Sequence, residues 1–202
     1  MTAPAPGSRE ILQAAEEIRL VTGAKHGDHA SFEALVDRYM GKAVTVAMGY
    51  LGDRDEAMDL AQEAFFRVFK TLDRFREGEP FAPWFYRILR NACLNHVEKH
   101  RNRRARSIHA ASDGEEDLPL PSGSLTPEEH AEASEQQRAF WQAVEKLPQK
   151  HREILMLRHF QDLDYQAMAD VLGIPIGTVM SRLFHARQKL RALMEDYMEG
   201  NS

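Results

Sequence analysis

The chain has 202 residues, 43% of them hydrophobic, enough for one large core or two small ones. No apolar run approaches the ~20 residues of a membrane span, and the opening MTAPAPGSRE lacks a basic segment followed by an apolar one, so neither membrane insertion nor secretion is expected. Formal net charge is −5, yet Arg87, Arg90, Lys99, Arg101, Arg103, Arg104 and Arg106 crowd one segment while Asp113, Glu115, Glu116, Asp117, Glu128, Glu129, Glu132 and Glu135 crowd the next, so an acidic total conceals a basic surface. The single cysteine, Cys93, excludes an internal disulfide and fits a reducing cytoplasm.

Residues 1–8 are small and proline-bearing, a composition that favours disorder. A helix is expected over 9–25, with Ile11, Leu12, Ala15 and Ile18 as a loose stripe and Gly27 beyond its end. A second, over 31–51, repeats Phe32, Leu35, Val36, Tyr39, Ala43, Val44, Ala47 and Leu51 at helical spacing and reads as a core helix. Gly52 breaks it. Asp53 and Glu56 then form a capping box for a third helix, to about Leu72, that turns Ala57, Leu60, Ala61, Ala64, Phe65 and Val68 inward. Asp55, Asp59, Gln62, Glu63, Phe66 and Phe69 fall on its other face. Aromatics among carboxylates mark a protein-docking patch, or Phe66 and Phe69 complete a wide core.

Residues 73–83 form a loop by virtue of Gly78, Pro80 and Pro83, and it carries Phe75, Arg76 and Phe81. A helix is expected from Trp84 to Arg104, with Ile88, Leu89, Ala92, Cys93 and Val97 inward and arginines outward. Aromatics interleaved with cations suit an unpaired nucleic-acid strand, because a base gains ~1–3 kcal/mol from an aromatic face. The competing reading makes Trp84 and Tyr86 pins that fix the loop to the core. Cys93, His96 and His100 share a helix face, but no fourth ligand accompanies them and the surroundings are basic. No metal or other cofactor is expected.

Residues 107–125 carry serine, glycine, proline and acids without apolar period and read as a linker. Thr126-Pro127-Glu128-Glu129 announces a helix to about Lys146, followed beyond Pro148 by a shorter one bearing Ile154, Leu155, Leu157 and, near its end, Arg158. The stretch 164–194 reads as a helix-turn-helix. Asp164 caps its first helix, Gly173 stops it, and Ile174-Pro175 redirects the chain. In its second helix Val179, Leu183, Ala186 and Leu190 form a buried stripe, leaving Thr178, Ser181, Arg182 and His185 to face a DNA groove. The fold class is all-α: two small helical domains joined by a flexible acidic linker.

DLAQEAFFRVFKTLDRF at 59–75 followed by WFYRILRN at 84–91 resembles region 2 of the group IV, extracytoplasmic-function sigma factors of bacterial RNA polymerase. Leu147-Pro148, residues 152–157, 165–172 and PIGTVMSRLFHAR at 175–187 are similar to region 4 of that family. The resemblance covers about residues 28–195 and implies domains at 28–106 and 126–195, with a helical N-terminal extension over 1–27 and a tail from 196.

It further implies a cytoplasmic protein without catalysis of its own that recruits core RNA polymerase, through the β′ clamp helices and the β flap, to promoter DNA. Asp55, Asp59, Gln62, Glu63 and Phe66 would meet the polymerase. Phe75, Arg76, Glu77, Gly78, Phe81, Trp84, Tyr86, Arg87 and Asn91 would handle the opened minus-10 element. Arg158, Thr178, Met180, Ser181, Arg182, Phe184 and His185 would read the minus-35 element. An anti-sigma factor is the implied inhibitor. Two departures stand out: Met180 lies where many members carry Arg or Lys and His185 where many carry Arg, and Glu77 and Glu79 put negative charge where DNA would approach.

Another class of function is open to the same residues: a helix-turn-helix regulator whose N-terminal helices sense or dimerise. Promoter elements ~25 base pairs apart lie ~85 Å apart, whereas a compact chain of this length has a radius of gyration of ~16–17 Å. The domains must therefore separate on a promoter. In the free or inhibited protein they are expected to pack together and to hide Arg158 and Ser181.

Overall fold

Three aspartates start helices and two glycines end them. The side chains of Asp28, Asp53 and Asp164 accept from the backbone N–H groups of Ala30 (3.2 Å), Glu56 (2.8 Å) and Ala167 (2.7 Å), satisfying donors that a first helical turn leaves free. Gly52 and Gly173 adopt φ +73° and +66°, the left-handed conformation that lets their N–H groups close the preceding helices onto Met48 and Ala169. The computed structural model describes residues 8–108, 135–161 and 163–200.

The first domain comprises α1 (Ser8–Lys25), α2 (His29–Leu51), α3 (Arg54–Thr71), a single 3₁₀ turn at Leu72–Arg74 and α4 (Phe81–Ile108). The second comprises α5 (Glu135–Glu145), α6 (Gln149–Gln161), α7 (Tyr165–Leu172) and α8 (Ile176–Gly200). No strand occurs among the described residues. Helix α4 begins three residues earlier than its aromatic run indicates, because Pro83 sits in the first turn, where a missing N–H costs nothing. It also continues past Arg104 to Ile108. The expected cap at Thr126 and most of the linker lie outside the described residues.

The first core is aromatic. Tyr39 meets Phe81 edge-on at 5.3 Å and Phe65 packs on Phe85 at 4.7 Å, all four being buried. Each such ring contributes ~1.5–3 kcal/mol by leaving water. In the second core Ile154, Met156, Met168, Val179 and Leu183 are buried, so the apolar stripes of α7 and α8 face α6. Among the described residues no single helix is long and apolar enough to cross a membrane.

The two domains pack on one another, α2 against α6 and α4 against α7. Gly49 makes the first contact possible, since a Cβ there would overlap the side chain of Met156. Around it lie polar contacts. Tyr50 donates its hydroxyl to Glu153 at 2.7 Å, Arg90 donates Nε to the same carboxylate at 2.5 Å, and Arg87 donates to the carbonyl of Asp170 at 3.1 Å.

Candidate functional site

The outward face of α3 carries Asp55, Asp59, Gln62, Glu63 and Phe66, all exposed, while Ala57, Leu60, Ala61, Ala64, Phe65 and Val68 of the same helix are buried. Phe66 is 57% exposed and Phe69 50%, which decides between the two readings of this pair: they do not complete the core. Phe69 meets Phe32 edge-on at 5.1 Å, and Lys70 places its ammonium 4.1 Å from the centre of the Phe66 ring. Glu63 pairs with Arg67 one turn on, at 2.5 Å. The face is an apolar ridge bordered by carboxylates, suited to a partner with an apolar groove and cationic edges.

The loop between α3 and α4 corrects the stacking expectation. Phe75, Phe81 and Tyr86 are 5%, 1% and 1% exposed, so none offers a free face to a base in this conformation. Phe75 packs on Trp84 at 5.0 Å and on Phe81 at 6.0 Å, and Trp84 is half-buried. These rings anchor the loop to the core, as the competing reading held for Trp84 and Tyr86. The N-terminal helix adds a second anchor that sequence reasoning missed: Lys25 donates to the carbonyl of Phe75 at 2.9 Å and pairs with Glu77 at 3.3 Å. Glu77 is thus partly neutralised. The loop turns at Gly78, φ +87°, a conformation that a side chain would strain.

Cations remain outside. Arg74, Arg76 and Arg87 are exposed, and they border a cavity of about 540 Å³ whose opposite wall is formed by Asp164, Gln166 and Asp170 of the second domain. Arg74 carries no motif that sets it apart in the sequence; only its place beside Arg76 and Arg87 does. Asn91 is exposed one turn after Arg87.

In the second domain the carbonyl of Pro175 accepts from Thr178 (2.9 Å) and Val179 (3.1 Å), starting α8 immediately after the turn. Val179, Leu183 and Ala186 are buried, and the adjoining face presents Met180 (53% exposed), Ser181, Phe184 (58% exposed) and His185, with Thr178 and Arg182 half-buried. Arg158 is half-buried: its Nη1 donates to the carbonyl of Leu163 at 3.3 Å and its guanidinium lies 5.9 Å from the Tyr165 ring. The expectation that domain packing hides both Arg158 and Ser181 is therefore corrected: Ser181 is exposed, and the contacts that half-bury Arg158 come from its own domain.

These surfaces define a two-domain helical protein with a helix-turn-helix in one domain and an exposed aromatic ridge on α3 of the other. Sigma-70 region 2 matches residues 35–103 and sigma-70 region 4 matches residues 137–190. The chain is similar to the RNA polymerase sigma-H factor of Pseudomonas aeruginosa, 33% identical over 182 residues, covering 89% of this chain and 94% of that one. It is also similar to the ECF RNA polymerase sigma factor SigW of Bacillus subtilis, 31% identical, covering 85% and 93%. Among solved structures, the sigma factor RpoE of Bartonella quintana, crystallised with the anti-sigma factor NepR, superposes with a TM-score of 0.63 at 25% identity, covering 81% of this chain and 96% of that one. The chain belongs to the extracytoplasmic-function sigma factors of the sigma-70 family.

Proposed function

We propose that this sigma factor acts in the cytoplasm, without chemistry of its own, through three assigned surfaces. The α3 ridge of Asp55, Asp59, Gln62, Glu63 and Phe66 docks on core RNA polymerase. In the domain spanning 28–106, Arg76, Arg87 and Asn91, joined by Arg74, hold the separating strands at the minus-10 element. In the domain spanning 126–195, Thr178, Met180, Ser181, Arg182, Phe184 and His185 face the minus-35 duplex. Phe75, Phe81 and Tyr86 support the strand-handling loop from within, and Arg158 positions α7 against its neighbours.

One observation carries the docking assignment: α3 exposes Phe66 to 57% among carboxylates while its opposite face is fully used by the core. An aromatic more than half exposed on a core helix has a cost in water that a partner surface removes. Because the Bartonella relative is held by an anti-sigma factor, we extend a partner of that kind to this chain. The test is capture of core polymerase followed by promoter-dependent transcription in vitro. Asp59→Ala, Gln62→Ala and Phe66→Ala together should abolish capture while leaving the unfolding midpoint unchanged. Capture undiminished by the triple substitution would overturn the docking assignment. Promoter binding by the chain alone, with no core-dependent transcript, would favour the sensing or dimerising regulator.

A further inference from the structure

Helix α4 brings His96 and His100 onto one face, one turn apart, with their rings stacked at 4.2 Å. Two imidazoles on one helix are common and by themselves bind nothing in particular. The fold adds a third donor that lies 40 residues away in sequence: Glu56, in the first turn of α3, places Oε2 3.4 Å from Nε2 of His96. One donor atom from each of the three residues lies within 4.8 Å of the others. All three are half-buried. Nε2 of His96 is enclosed and makes no hydrogen bond. A sheltered imidazole nitrogen without a hydrogen bond, facing a carboxylate, is what a cation would satisfy.

We infer that Glu56, His96 and His100 form a binding site for a divalent transition cation of the zinc type, clamping the start of α3 to the middle of α4. Two imidazoles and one carboxylate are a recognised zinc donor set, with the remaining position open to water. With bonds of ~2.0–2.1 Å, tetrahedral donors stand ~3.3–3.4 Å apart; the Glu56–His96 pair already has that spacing, and binding requires His100 to leave its stacked position on His96. Cys93, which the helix spacing alone offers as a third ligand, is buried and its thiol is pushed up to about 12, chiefly by burial, so it serves the core and not the site. Hard cations such as Mg²⁺ prefer all-oxygen shells and are excluded by the two imidazoles.

One neighbour opposes the ion. Arg103 places Nη2 2.8 Å from Nε2 of His100, and since a guanidinium can only donate, that nitrogen is an unprotonated acceptor. Arg103 is exposed and free to swing into solvent when a cation takes its place. Binding therefore exchanges a hydrogen bond on the basic helix for a metal bridge between the two helices, and the charge repulsion makes the site weaker than a closed four-ligand one.

The test is Zn²⁺ titration of the chelator-treated full chain, by calorimetry and by thermal unfolding, with Mg²⁺ as comparison. One equivalent of Zn²⁺ should bind and raise the unfolding temperature, because an ion that binds only the folded state stabilises it by mass action. His100→Gln and Glu56→Gln should each weaken binding at least tenfold, and the backbone N–H of Glu56 keeps its bond to Asp53 in the latter. Since the chain holds nine histidines, adventitious binding is the alternative, and His26→Gln, remote from the site, is the control. Saturable binding lost in the site variants and kept in the control supports the inference. Absent binding, equal binding by all variants, or an equal response to Mg²⁺ overturns it.

Discussion

Arg90 of α4 donates its Nε to the carboxylate of Glu153 in α6 at 2.5 Å, joining the first domain to the second. The Glu153 side chain is only 6% exposed, and the Tyr50 hydroxyl is a second donor to it. A buried carboxylate tolerates its site only while such donors are in place. Losing one costs ~3–5 kcal/mol in a sealed interior, and less here, ~1–3 kcal/mol, because Arg90 is 22% exposed. Arg90→Met should therefore release the second domain, seen as an increase in the radius of gyration by solution scattering of the full chain, while the first domain keeps its helicity. Glu153→Gln, which retains an acceptor for Tyr50, should open the protein less. Scattering identical to wild type in both variants would show that α2 and α6 hold the domains together by apolar contact alone.

Phe75 and Phe81 test what the loop aromatics do. If they are anchors, Phe75→Ala and Phe81→Ala each remove a buried ring and should destabilise the protein by ~3–5 kcal/mol, visible as a lower urea midpoint with unchanged slope. A base platform would behave differently, losing strand opening with stability intact. An unchanged midpoint with lost promoter opening would restore that role.

How far the sequence reaches is clear from where it stops. The caps at Asp53 and Asp164, the stop at Gly173 and the stripe Val179, Leu183, Ala186 were legible because each depends on residues within one or two turns. The burial of Phe75 is not legible in the sequence, because an aromatic beside arginine in a loop has the same local signature whether it faces solvent or core. The deciding partners, Trp84 and the Lys25 ammonium, come from other elements. Glu153 with Arg90 and Glu56 with His96 are likewise pairs between helices distant in sequence, invisible to any helical period. The exposed Phe66 was ambiguous for the converse reason: helical spacing fixes which residues share a face, and only packing fixes whether that face is covered.

His151 makes stability depend on pH. It is buried, its Nδ1 has no hydrogen-bond partner, and burial followed by the positive charges of Lys189, Lys150, His185 and Arg182 holds its pKa below the ordinary 6.5. The folded chain thus keeps it neutral where the unfolded chain would take up a proton. The stability this supplies is fully present above the unfolded value of 6.5 and is lost as pH falls below it. Thermal unfolding of wild type should drop more steeply between about pH 7.5 and about pH 5.5 than that of His151→Gln, whose residue does not titrate. Parallel curves for the two proteins would remove His151 as the source.

Met180 is 53% exposed beside Ser181 on the proposed duplex-reading face. An uncharged thioether releases no counterion on binding DNA, whereas each new cation–phosphate contact steepens the dependence of log K on log salt by about 0.9. Met180→Arg in polymerase holoenzyme should therefore tighten binding to a minus-35 duplex at low salt and add about one unit to the salt slope. The substitution is on an exposed position and should leave the unfolding midpoint within about 0.5 kcal/mol of wild type. A slope that stays the same while the variant remains folded would mean that Met180 points away from the phosphates, and that α8 enters the groove rotated toward Arg182 and His185.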